Sequence, residues 1–141
     1  MYKKIIFSLG LILGYSSLAL AASTPLNLEG VYHCHGNDPT VTPSYYTTIL
    51  TMTKQGNVYR MQEIARGNDH KPAAETTDNY NEFGILDGKL LSISFQYTND
   101  TKVFGTTIMH VSHDGQTLDG YFYYWNQFNQ KGTETCKKVS T

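Results

Sequence analysis

Four of the five histidines fall into two short patterns, His33-x-His35 and His110-x-x-His113, and the two cysteines are Cys34 and Cys136. Imidazoles two residues apart on a strand share a face and could grip zinc or copper. A metal centre needs at least a third ligand, and neither pattern has a carboxylate at a recognised spacing. These histidines therefore read as exposed side chains, with no metal site. His113-Asp114 reads as turn chemistry, since Asp hydrogen-bonds its own backbone in turns. No nucleophile stands beside a base, and no two carboxylates are expected to face each other across a cleft. The acids read as scattered near turns and strand ends. The expectation is a non-enzymatic protein without a cofactor.

The cysteines gain meaning from the N-terminus. Lys3 and Lys4 precede an apolar run from Ile5 to Leu20 that ends at Ala19-Leu20-Ala21. A positive start, an apolar core and small residues at −3 and −1 are what an export signal presents to signal peptidase. Residues 1–21 are expected to be the signal peptide, with cleavage after Ala21, and residues 22–141 a single domain. The small-residue exit and the following Ser-Thr-Pro disfavour a retained anchor, so no membrane span is expected once the signal is removed. A secreted or periplasmic product meets an oxidising compartment, where Cys34 and Cys136 should pair as a disulfide.

Of eleven basic and twelve acidic residues, Lys3 and Lys4 leave with the signal. The mildly acidic remainder makes nucleic acid an unsuitable partner. What stands out is aromatic density, eleven Tyr and six Phe, and above all the run Tyr121-Phe122-Tyr123-Tyr124-Trp125. On a strand, Phe122 and Tyr124 share one face and Tyr121, Tyr123 and Trp125 the other. The first set can fill a core beside Leu118. Both sets combine large apolar area with polar tips, the composition of recognition surfaces. They are the candidate binding residues for an unidentified small ligand or protein partner.

The elements that must position them are strands. After the signal no helical period occurs, whereas short runs rich in Tyr, Thr, Val, Ile and Phe recur between turn residues. The expected strands are Leu28–His35, Tyr45–Lys54, Val58–Arg66, Tyr80–Leu86, Lys89–Tyr97, Lys102–Val111, Thr117–Trp125 and Gly132–Val139. Gln55-Gly56-Asn57 and Asp87-Gly88 mark hairpins, and Gly67 to Asp78 reads as the longest exposed loop. The fold class is thus all-β, an antiparallel up-and-down meander of about eight strands. A bridge between first and last strands needs their Cα atoms within about 7 Å, which closes the sheet into a barrel.

Gly30-Val31-Tyr32 near the mature start, the regular hairpins, and Asp114 to Gly120 near the end resemble small calycin-type barrels, the lipocalins and avidins. That resemblance implies a binding barrel with a ligand cavity at one mouth, and no particular ligand. Tyr32-His33-Cys34 with the late Cys136 also resembles the periplasmic inhibitors of C-type lysozyme. Gln55 to Tyr59 and Tyr97 to Val103 echo that family's two loops, which implies a lysozyme-facing role for Lys102 and inhibition of a host hydrolase as an alternative function. A structural role in the envelope is a further alternative.

Overall fold

The computed structural model describes residues 26–42, 44–66 and 79–140. The signal peptide and its cleavage point, and the expected loop from Gly67 to Asp78, lie outside them.

Eight strands follow in order: β1 (Gly30–Asn37), β2 (Tyr45–Gln55), β3 (Val58–Arg66), β4 (Asn79–Asp87), β5 (Leu90–Tyr97), β6 (Phe104–Val111), β7 (Thr117–Tyr124) and β8 (Gly132–Ser140). Each pairs antiparallel with the next, and β1 also pairs with β8, so the sheet is a closed barrel without a free edge. Closure is fastened covalently. Cys34 and Cys136 sit directly opposite each other in the β1–β8 ladder, with Cα atoms 4.0 Å apart, and form the expected disulfide.

The alternation read from the sequence is the alternation of the barrel wall. Along β5, Leu91, Ile93 and Phe95 are buried and the intervening residues exposed. His33, His35, His110 and His113 are all exposed. The β2–β3 hairpin turns on Gly56-Asn57, and the glycine takes φ 63°, a left-handed conformation that a side chain disfavours.

Two strand limits depart from expectation for identifiable reasons. Leu28 does not belong to β1: the segment from Leu26 to Leu28 crosses one end of the barrel, where the Tyr32 hydroxyl donates to the Leu28 carbonyl at 2.9 Å and the Tyr59 hydroxyl to the Leu26 carbonyl at 3.3 Å. Lys102 does not belong to β6. Asp100 accepts from the Lys102 amide at 3.0 Å through its side chain and from the Val103 amide at 2.9 Å through its carbonyl, which holds a turn until Phe104. Trp125 lies just beyond β7, although its amide still donates to the Phe104 carbonyl at 2.9 Å.

The interior has two parts. In the half closed by Leu26 and Leu28, the side chains of Tyr32, Leu50, Met52, Met61, Leu91, Met109, Val111 and Leu118 form one apolar cluster around the disulfide. Toward the other end, where β1, β3, β5 and β7 finish, the interior passes to Phe95, Phe122 and Tyr124, flanked by Tyr46, Tyr80, Tyr97 and Val103.

Candidate functional site

Between the two parts lies a polar layer made by strict period two. On β3, Tyr59, Met61 and Glu63 point inward in succession; on β4, Tyr80 and Glu82 do so; on β8, Glu134 and Cys136 do so. Thr48 of β2 and Thr107 of β6 complete the ring. All three glutamates are buried, at 8 %, 5 % and 7 % exposure for Glu63, Glu82 and Glu134. Above them opens a cup of about 150 Å³, walled by Phe95, Phe122, Tyr80, Tyr97 and Tyr124, with Asp38 and Val41 at its mouth.

The layer is internally bonded. Glu82 and Glu134 each hydrogen-bond Glu63, the Thr48 hydroxyl donates to Glu63, and the Tyr46 hydroxyl donates to Glu134 at 3.2 Å. Burial, and then the Glu63 charge beside them, pushes the carboxyls of Glu82 and Glu134 well above the usual carboxylate range. That environment favours their protonated form, in which each can donate to Glu63. The tyrosines continue the network toward the mouth: Tyr80 donates to Tyr97 at 2.6 Å, Tyr97 and Tyr124 are 3.4 Å apart, and Tyr124 donates to the Asp38 carboxylate at 2.7 Å. Burial raises the Tyr46 and Tyr124 hydroxyls far above their ordinary range, so both remain neutral donors. Among the described residues, no lysine, arginine or histidine lines the cup.

Glycines make room for the aromatic wall. A Cβ on Gly132 would lie 2.1 Å from the Phe122 ring, and one on Gly36 would lie 2.4 Å from the Tyr46 ring. Each ring therefore occupies space that any other residue opposite it would fill. The wall rings meet edge to face, Phe95 with Tyr124 at 5.6 Å and Phe122 with Tyr124 at 5.7 Å between centroids.

Phe122 and Tyr124, expected on the inward face, line the cup. Tyr121 and Tyr123 are half-buried on the opposite face of the barrel wall, in edge contact with each other, with the Lys131 ammonium over Tyr121. Trp125, 63 % exposed, stacks on Phe104 and meets Phe128 at the rim. The five aromatic residues thus divide between the cup, the outer wall and the rim. Gly56 and Lys102, the two positions carried by the lysozyme-inhibitor resemblance, lie at opposite ends of the barrel, in the β2–β3 and β5–β6 connections.

The reading of the acids as scattered near turns and strand ends is corrected for three of them. Glu63, Glu82 and Glu134 are inward-facing strand residues that meet in the interior. The signal was available in part: Glu134 stands two residues before Cys136, whose bridge requires it to face inward, and Glu63 stands two after Met61. Asp38, in the β1–β2 connection, is likewise buried at the mouth.

Such an arrangement can accept hydrogen bonds from a ligand, compensate a positive charge, and supply protons from two carboxylic acids. No protein-family model matches the chain, and no curated protein matches it. Among solved structures, a de novo designed fluorescence-activating β-barrel matches with a TM-score of 0.56 at 6 % identity, over 79 % of this chain and 93 % of that one. At that identity the likeness concerns the fold alone, and it agrees with a calycin-like barrel in outline only.

Proposed function

We propose that this protein is an exported, non-enzymatic binding barrel that takes a small ligand into the cup. The observation that carries the reading is the asymmetry of the interior: one end is filled and plugged, and the other is a cup with aromatic walls and a polar floor. A few convergent polar groups within an apolar concavity are the usual composition of a small-molecule site. A barrel that needed only stability would bury apolar side chains at Glu63, Glu82 and Glu134, because carboxyl groups are costly to desolvate. The disulfide supports export into an oxidising compartment.

Native mass spectrometry of protein isolated from its own exported fraction tests this reading. The expected spectrum shows the chain beginning at Ala22, two hydrogens lighter than the reduced form, with a small molecule bound. Bare protein that takes up no small molecule from a metabolite extract contradicts it.

The rim favours a second reading, a protein partner covering the mouth. There Trp125 stacks on Phe104 and meets Phe128 edge to face, an exposed aromatic group of the kind that anchors interfaces. Inhibition of a hydrolase would be one form of it. Quenching or a blue shift of Trp125 fluorescence by an added protein, with the cup empty, would favour this reading over the first.

A further inference from the structure

Resting on the reading of the cup as a ligand site, we infer that its ligand is a small organic monocation: an ammonium group seated on the Glu63–Glu82–Glu134 layer, carried on a compact ring held by Phe95, Phe122 and Tyr124. Four independent features point to that chemistry.

The floor is rich in acceptors and lacks a counter-ion. Three carboxyl groups and two threonine hydroxyls form it, and no basic side chain among the described residues reaches it. A primary ammonium, with three N–H donors and no acceptor, fits such a floor. Thr107 supplies an opening for it. Its side chain is 6 % exposed and lines the cup, and no described side chain or carbonyl hydrogen-bonds its hydroxyl. That hydroxyl faces the space of the cup, where an entering N–H group can bond it.

The walls suit the rest of such a molecule. A space of about 150 Å³ accommodates roughly one aromatic ring. Aromatic side chains lining it attract a cation as well as an apolar body.

The layer is also shaped for an organic cation and not for a metal ion. A divalent ion gathers several oxygens about one point, six to eight of them for calcium. The three glutamates instead form a row with Glu63 between Glu82 and Glu134. Among the described residues, the one set of metal-ligating groups whose donor atoms gather within 4.8 Å is Cys34, Glu134 and Cys136, and its two sulfurs are consumed by the disulfide. Charge agrees with geometry. Burial and the neighbouring Glu63 charge raise the Glu82 and Glu134 carboxyls well above the usual range, a cost that a cation seated on the layer offsets.

Titration calorimetry of the disulfide-intact chain with benzylamine and its neutral isostere benzyl alcohol, and separately with calcium chloride, tests the inference at pH 7. Benzylamine is expected to bind at least about tenfold more tightly than benzyl alcohol, a preference of the order one charge-assisted hydrogen bond supplies. Glu63→Gln should erase the preference while leaving benzyl alcohol binding nearly unchanged. Ser94→Ala, on the outer face of β5 and away from the cup, should retain it and serves as the folded control. Benzyl alcohol binding as tightly as benzylamine would overturn the monocation assignment and leave the cup as a neutral-ligand site. Calcium binding that competes with benzylamine would overturn it in favour of a metal site. If neither organic probe nor calcium binds, the assignment fails, and the mass-spectrometric result then decides whether the cup reading fails with it.

Discussion

The two halves of the barrel interior are built from the same eight strands on the same alternation, yet they follow opposite rules. In the plugged half, inward positions carry Leu, Met, Ile and Val around a disulfide, and the polar atoms of Tyr32 and Tyr59 are spent on carbonyls of the plug. In the open half, the same inward register carries three glutamates, Thr48, Thr107 and a set of tyrosines. Apolar filling maximises stability, whereas buried carboxyls reduce it. The contrast teaches that one half holds the barrel together and the other is free to hold something else.

The largest effect expected in this comparison is loss of the Cys34–Cys136 bridge, which joins residues 102 apart. The Cys34→Ala/Cys136→Ala double variant should lose roughly 2 to 5 kcal/mol, with up to about 4.7 for a loop of that length in the chain-entropy model. Urea unfolding with and without reductant measures it. A loss under about 1 kcal/mol would mean that hydrogen bonding between β1 and β8 closes the barrel unaided.

Next in size is Leu91→Ala in the plugged half, where the side chain is fully buried. It should cost about 2 to 5 kcal/mol through lost transfer energy and a residual cavity. Thr107→Val in the open half should be nearly neutral, since it keeps the shape and removes one hydroxyl that faces the cup and not packed protein. If both substitutions destabilise equally, the two halves are not different in kind.

A smaller and pH-dependent effect separates them further. The Glu82 and Glu134 carboxyls titrate above the usual range in the folded state because of burial and the Glu63 charge. The folded protein therefore holds protons that the unfolded chain has released. The resulting stability is fully present below the ordinary carboxylate pKa and is lost as pH rises through the raised values, at about 1.4 kcal/mol per pH unit for each proton involved. Glu134→Gln should flatten that loss, so thermal midpoints should converge with the unsubstituted protein at acid pH and exceed it at alkaline pH. Parallel curves across pH would contradict the buried carboxylic-acid network.

The smallest effect on stability is expected outside the barrel. Trp125→Ala at the rim should change stability by no more than about 0.5 kcal/mol, as exposed substitutions do. Tyr123→Ala on the outer wall should also cost little. If Tyr123→Ala abolishes ligand binding while Phe122→Ala spares it, the recognition surface is the outer wall and not the cup.

The barrel was legible in the sequence because every clue to it is local or covalent: alternation along each strand, turn glycines such as Gly56, and two cysteines in the first and last strands. Strand limits went astray where a side chain made its own turn, as Asp100 does, or where a segment was recruited to plug an end, as Leu26 to Leu28 is. The aromatic strand was legible as two faces, since period two divides Phe122 and Tyr124 from Tyr121 and Tyr123. The carboxyl layer was not read, because its members come from three strands, β3 and β4 in succession and β8 at the far end of the chain. Each glutamate taken singly resembles a solvated residue, and only closure of the barrel brings Glu134 of β8 against Glu63 of β3.

The most direct test of the cup as the binding site is an NMR map of the isotope-labelled protein titrated with a small-molecule extract of the cells that make it. The account predicts saturable shifts concentrated on Thr48, Phe95, Thr107 and Phe122, with the plugged half unmoved. Shifts confined to Tyr121, Tyr123 and Trp125, or a spectrum that does not respond at all, would contradict it.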